Sequence, residues 1–133
     1  MSFRFWLFIA GISSATAVAA AAYGTHGLPG LQAFDKEILH TGLIYHLFHS
    51  MAIFGVAALM AATEGRCRLW GRWMPQMAAI FFLAGIFMFS GGIYYHILNG
   101  VKANAPIVPA GGVSFITGWV LLSLSSFGFR RNH

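Results

Sequence analysis

An all-α bundle of four membrane-spanning helices is the fold this sequence predicts, and three observations predict it. Of 133 residues, 58% are hydrophobic and only 8% charged, where an ordinary soluble domain carries about 25% charged residues. A small soluble globule has the most surface to coat per unit volume, so the deficit excludes one. The apolar residues also gather into four stretches, each near the roughly 20 residues that one crossing of the hydrocarbon needs. Third, the basic residues flank those stretches instead of forming a run of their own.

The first stretch, residues 5–23, follows Arg4 and resembles a secretory signal, with the small-residue tract Ala19 to Ala22 near its end. Its apolar part exceeds the roughly 7 to 15 residues of a signal core, so it reads as an uncleaved helix. The second stretch opens after Pro29 and Gly30 and ends at Ala62, roughly 48 Å if it is one unbroken helix. Asp35, Lys36 and Glu37 occupy its opening, which predicts an interfacial portion over 31–37 and a true span over 38–62. The third span, residues 76–98, is predicted to start after Pro75, a residue suited to a first helical turn, and to stop at Asn99 and Gly100. The fourth, residues 109–129, runs from Pro109 to Phe129, immediately before Arg130 and Arg131. Residues 1–133 thus read as a single integral membrane domain, with only short loops besides.

Six of the eight Lys and Arg residues lie with the N-terminus, the second loop and the C-terminus; only Lys36 and Lys102 lie in the other loops. By the positive-inside rule both termini and the loop 63–73 face the cytoplasm. Trp6, Trp70 and Trp73 then fall at the inner boundary as interfacial anchors, and Trp119 is predicted to be buried between helices. Although the net charge is +5, basic residues distributed in this way orient a membrane protein and do not bind nucleic acid. The one cysteine, Cys67, excludes an intrachain disulfide and reads as a reduced cytoplasmic thiol. Small residues recur at helical spacing, Gly11, Ala15, Ala19 and Ala22 in the first span and Ser114 and Gly118 in the fourth, as helix contacts in lipid require.

Polar side chains at membrane depth call for partners, because an unpaired polar group in hydrocarbon is costly. His49 falls near the midplane, His46 above it and His40 at the outer interface. Ser90 comes to mid-depth on the third span, with Tyr94, Tyr95 and His96 toward the outer side and His26 closing the first span there. Tyr45, His46 and His49 can share one stripe of the second helix, and Ser90 with Tyr94 one stripe of the third. These five residues are predicted to form one interhelical polar network, in which Ser90 or Tyr94 is the partner of His49. The primary reading is structural, with no cofactor. The alternative is a cofactor-binding subunit in which His26, His49 and His96 hold haem b or copper, with thioethers at Met51 and Met88, or the head of a quinone. Catalytic residues are not predicted: the sequence has no nucleophile elbow, no glycine-rich phosphate loop and no paired acids, and no carboxylate lies inside a span, as proton-coupled carriers commonly require.

Four ordered motifs carry a resemblance that covers nearly the whole chain. They are Tyr23-Gly24-Thr25-His26-Gly27-Leu28, Tyr45-His46-Leu47-Phe48-His49, Phe89-Ser90-Gly91-Gly92-Ile93-Tyr94, and Pro109-Ala110-Gly111-Gly112 with Gly118-Trp119. In these the sequence resembles the YgdD-type family of small four-helix membrane proteins, which includes eukaryotic transmembrane protein 256 and is classed as a domain of unknown function. The family often has alanine at the place of Thr25, glutamine at His46 and serine at Gly92, so a role for His46 belongs to this chain while His26 and His49 follow the family pattern. The resemblance implies a multi-pass protein of the bacterial inner membrane and supplies no reaction.

The expected role is therefore a non-catalytic or accessory subunit. Its partners would be membrane lipids, other integral membrane proteins or a second copy of itself, with Phe81, Phe82, Phe87 and Phe89 as a candidate packing surface. The orientation has a direct test. Cys67 should react with a membrane-impermeant maleimide only after the inner membrane is opened; labelling from the periplasmic side of intact cells would reverse the topology.

Overall fold

A computed structural model describes residues 1–65, 69–100 and 106–128. Its elements are α1 (Phe3–His26), α2 (Ala33–Ala62), α3 (Leu69–Gly85), a π-helical turn (Ile86–Ser90), α4 (Gly91–Asn99) and α5 (Ile107–Ser125), which closes in a 3-10 turn at Ser126–Gly128. α3, the π-turn and α4 run on without a break as one third span, Leu69–Asn99. Four helices are thus long and apolar enough to cross a membrane, with mean hydropathy between 1.7 and 1.9, and no strand occurs among the described residues. The all-α, four-span fold is the one the composition requires.

The boundaries differ from expectation where local signals mislead. α2 is continuous from Ala33, so the acidic opening and the span are one helix; at 30 residues it measures about 45 Å, longer than a hydrocarbon core of about 30 Å. The third span starts at Leu69, well before Pro75, which sits buried inside α3. Proline at that point removes one backbone donor and crowds the carbonyl four residues back, a defect that neighbouring helices accommodate in membrane proteins. The predicted stop holds: Gly100 adopts φ +66, a left-handed conformation that glycine adopts without strain, and its N–H bonds the His96 carbonyl at 2.8 Å. Phe129, Arg130 and Arg131 lie outside the described residues, as do Arg66, Cys67, Arg68 and Lys102.

α1 packs along α2, α5 packs along α3, and α2 meets the third span, so two hairpins join through their central helices. Lipid tails are as apolar as leucine, so the helices are held by close packing and not by a hydrophobic drive between them. Glycine supplies the closeness. A Cβ at Gly85 would lie 2.5 Å from the Phe115 ring, at Gly111 2.5 Å from the Phe89 backbone nitrogen, and at Gly118 2.6 Å from the Phe82 ring. Ser114 reinforces the same seam, its hydroxyl donating to the Phe81 carbonyl at 2.7 Å.

Three sequence expectations about packing are corrected. The stripe Gly11, Ala15, Ala19 and Ala22 faces outward, while Ala10, Ser13 and Ala17 face the bundle. Trp6 is no interfacial anchor: it is buried in the core with Ile53, Val56 and Phe82, although Trp70 and Trp73 are exposed as anchors should be. Phe82 is wholly buried and Phe89 partly so, which leaves Phe87 as the most outward of the four phenylalanines. Whether a helical stripe is core or surface depends on which neighbour it meets, and spacing alone does not say.

The glycine seam predicts a sharp contrast between adjacent positions. Gly111→Ala should destabilise the bundle by about 1–3 kcal/mol, the usual penalty of overpacking. Gly112→Ala, where a Cβ meets nothing within 4 Å, should be close to neutral. Unfolding titrations in mixed micelles would measure both, and equal effects would contradict the packing described.

Candidate functional site

Histidines 46 and 49 lie three residues apart near the middle of α2, about 60° apart around its axis. That angle is enough to send them to the two sides of the contact with the third span. Both are buried, and they share no partner: His49 reaches α5, His46 reaches α1 and α4.

His49 donates from Nδ1 to the Tyr45 carbonyl, 2.8 Å away on its own helix. A carbonyl only accepts, so the proton of the neutral ring is on Nδ1 and Nε2 is an acceptor. Trp119 of α5 supplies the donor, its indole N–H lying 3.2 Å from Nε2. The imidazole is also stacked on Phe115, with ring centroids 3.5 Å apart and planes 12° from parallel. Tyr45 is 5.8 Å from His49 between centroids and packs on Phe89 at 4.8 Å. A lateral cleft of about 500 Å³ opens here, lined by Tyr45, Phe48, His49, Phe89, Phe115 and Trp119 among others.

His46 faces the other way, toward α1. Its Nδ1 is 3.0 Å from the Tyr94 hydroxyl and its Nε2 3.2 Å from the Ser13 hydroxyl. Ser13 is 2.6 Å from the Ser50 hydroxyl, and Ser50 donates to the His46 carbonyl at 2.8 Å. A second cleft of about 500 Å³, between α1 and the third span, has this cluster at its base.

The network predicted on one shared stripe is therefore divided. Tyr94 does reach α2, but it bonds His46, and Ser90 donates to the Gly42 carbonyl at 2.8 Å. The partner expected for His49 was one of those two residues; the one observed is Trp119, which is 38% exposed and not buried as expected. Ser13 and Ser50 were missed. Ser50 stands four residues after His46, on the same helical face, so its part was open to inference; Ser13, one of several small polar residues in α1, carried no such mark.

His26, His49 and His96 are not brought together. His96 Nε2 pairs with Asp35 at 3.6 Å, and Asp35 lies 14 residues before His49 on α2, about 20 Å along the helix. His26 is exposed at the end of α1, where Gly24 abuts Leu39, about 15 Å along α2 from His49. Among the described residues no three His, Cys, Asp or Glu side chains gather as metal ligands.

Residues 20–112 match the family described as Protein of unknown function (DUF423). The chain belongs to this family. It is similar to the UPF0382 inner membrane protein YgdD of Escherichia coli strain K12, 35% identical over 132 residues, 98% of this chain and 95% of YgdD. It is also similar to the UPF0382 membrane protein YwdK of Bacillus subtilis strain 168, 31% identical over 125 residues, 92% of this chain and 96% of YwdK. No solved structure matches. As a DUF423 protein with four apolar helices, the chain is a multi-pass membrane protein, and YgdD carries the inner-membrane designation in its name.

In this DUF423 chain the bond between His49 and Trp119 ties α2 to α5. A double-mutant cycle of His49→Leu and Trp119→Phe should give a coupling near the membrane-helix average of about 0.6 kcal/mol. A coupling indistinguishable from zero would mean that the two rings stack independently.

Proposed function

We propose that this protein is a non-catalytic subunit that acts through contacts inside the bilayer, held with both termini on the cytoplasmic side. The observation that carries this reading is the outward ridge of α1. Gly11, Ala15, Ala19 and Ala22 are exposed, and a Cβ at Gly11 would meet nothing within 4 Å. Small residues at this spacing permit a helix to approach closely, and none of the described helices covers them. The links between spans, such as residues 27–32 between α1 and α2, are too short for a catalytic domain, so an effect on another molecule would be exerted in the membrane. The distribution of six basic residues against two supports the orientation.

The occupant proposed for the ridge is a helix of another integral membrane protein. Gly11→Cys and Ala15→Cys, treated with a membrane-permeant crosslinker in cells, should give one discrete heteromeric adduct, reduced several-fold by an added Ala19→Leu. An adduct of twice the chain mass would identify a second copy of this protein instead. Monomer alone, under conditions that keep other membrane complexes together, would remove the accessory role.

A further inference from the structure

We propose that the cleft between α1 and the third span binds a quinol-type neutral lipid, a hydroxyl-bearing ring on an apolar tail, which donates to the oxygens of Tyr94 and Ser13. The inference does not depend on the accessory role.

The chemistry follows from counting hydrogens in the cluster at the base of the cleft. The His46 carbonyl only accepts, so the single hydroxyl hydrogen of Ser50 is engaged there, 2.8 Å away. Ser50 must then accept from Ser13 across their 2.6 Å contact, which engages the hydrogen of Ser13. Ser13 in turn must accept from Nε2 of His46 at 3.2 Å. A neutral imidazole has one N–H, so Nδ1 is an acceptor and takes the Tyr94 hydroxyl hydrogen at 3.0 Å. The chain of donors runs one way, from Tyr94 through His46, Ser13 and Ser50 to a main-chain carbonyl. Every donor in it is engaged, and the capacity left over is lone pairs: on Tyr94 and Ser13, which line the cleft, and on Ser50, which does not. A ligand that completes this cluster must bring an O–H or N–H; a carbonyl alone brings only more acceptors.

Depth and charge narrow the ligand further. Ser13 and His46 lie near the middles of the 24-residue α1 and the 30-residue α2, well inside the hydrocarbon. Among the described residues no charged side chain lines the cleft, whose walls are Ile9, Ile12, Leu83, Ile86 and Phe87, with Thr16 beside Ser13. A phospholipid head would have to bring its charge to that depth, at a cost of several kcal/mol. A glycerolipid is held nearer the surface by its esters. A neutral head whose only other part is an apolar tail meets both conditions, and the aromatic side chains of Phe87 and Tyr94 on the cleft favour a ring over a plain alkyl alcohol. The volume, about 500 Å³, is within the range of sites for molecules of that size.

The test uses the whole protein in nanodiscs of neutral phospholipid, with ring-15N histidine, titrated with decylubiquinol kept reduced under argon, with decylubiquinone and with decanol. The quinol should shift the His46 resonances and bind about tenfold or more tightly than the quinone, a factor that one hydrogen bond of ordinary strength accounts for. Ile12→Trp, which fills the cleft from an exposed position without touching the polar base, should weaken quinol binding by at least tenfold, and Ser13→Ala, which frees the His46 Nε2–H for a carbonyl, should remove most of the preference over quinone. His49→Leu, on the other cleft, should change neither. Quinone binding as tightly as quinol would overturn the donor assignment, decanol matching the quinol would overturn the ring, and binding unaffected by Ile12→Trp would place the ligand elsewhere. Should Ser13→Ala fail to fold, the Ile12→Trp comparison still decides the site.

Discussion

The arrangement of this bundle hangs on the absence of side chains along one seam. Helices in lipid gain little from hydrophobic burial against one another and must approach until backbones and rings touch. Gly85 is bare, so the ring of Phe115 can lie directly over it. The same ring stacks on His49 at 3.5 Å. One glycine on α3 therefore fixes, through a phenylalanine of α5, where a histidine of α2 must sit. Gly118 does the corresponding service beneath Phe82, whose ring lies 4.9 Å from that of Trp119, the donor to His49. If α5 were held off by a single methyl group, both contacts to His49 would be disturbed.

The two histidines meet the same requirement in different ways. A neutral imidazole at membrane depth needs one acceptor and one donor, and leaving either unmet costs on the order of 1–3 kcal/mol. His49 takes its acceptor from its own helix and its donor from α5, which leaves the ring fully engaged and walled by aromatics. His46 takes neither from a backbone: its partners are the hydroxyls of Ser13 and Tyr94, on two different spans. Hydroxyls keep unused lone pairs where an indole N–H does not. The partners of His46 consequently keep acceptor capacity, while Tyr45 lines the cleft on the His49 side.

Much of this was legible in the sequence, and the remainder was hidden for definite reasons. Four apolar stretches and the scarcity of charge sufficed for the fold, because only helices satisfy their backbone in lipid without a partner strand. Ser114 and Gly118 marked the packed side of the fourth helix, and Ser90 and Tyr94 do meet α2 as their spacing suggested. Spacing could not tell a shared stripe from a divided one: three residues leave about 60° between side chains, which is one face if the neighbour is broad and two if it is centred between them. Nor could it tell that Ala10, Ser13 and Ala17 would be the inward face of α1, since Gly11, Ala15 and Ala19 have the same period and the same small size. Pro75 was misread because a proline is ordinarily a better start signal than a mid-helix residue.

The π-turn was illegible altogether, yet the cleft toward α1 depends on it. Its defining bond joins the Gly91 N–H to the Ile86 carbonyl, five residues back, so the turn holds one residue more than an α-helix of the same rise. Closing it to a regular α-turn would rotate everything beyond it by about 100°. α4 would then carry Tyr94 away from His46, and Ile93 away from Gly42, where the two now fit at 3.0 Å for a Cβ. The turn is held open from α2, because Ser90, its last residue, donates to the Gly42 carbonyl. Ile86 and Phe87 from the turn line the cleft on the α1 side and Phe89 lines the cleft on the α5 side. The shape of both clefts is thus decided within five residues, whose apolar sequence, Ile-Phe-Met-Phe-Ser, differs in no visible way from any other stretch of membrane helix. What sets it apart is the company of Gly85 before it, over which the Phe115 ring of α5 lies, and of Gly91 and Gly92 after it.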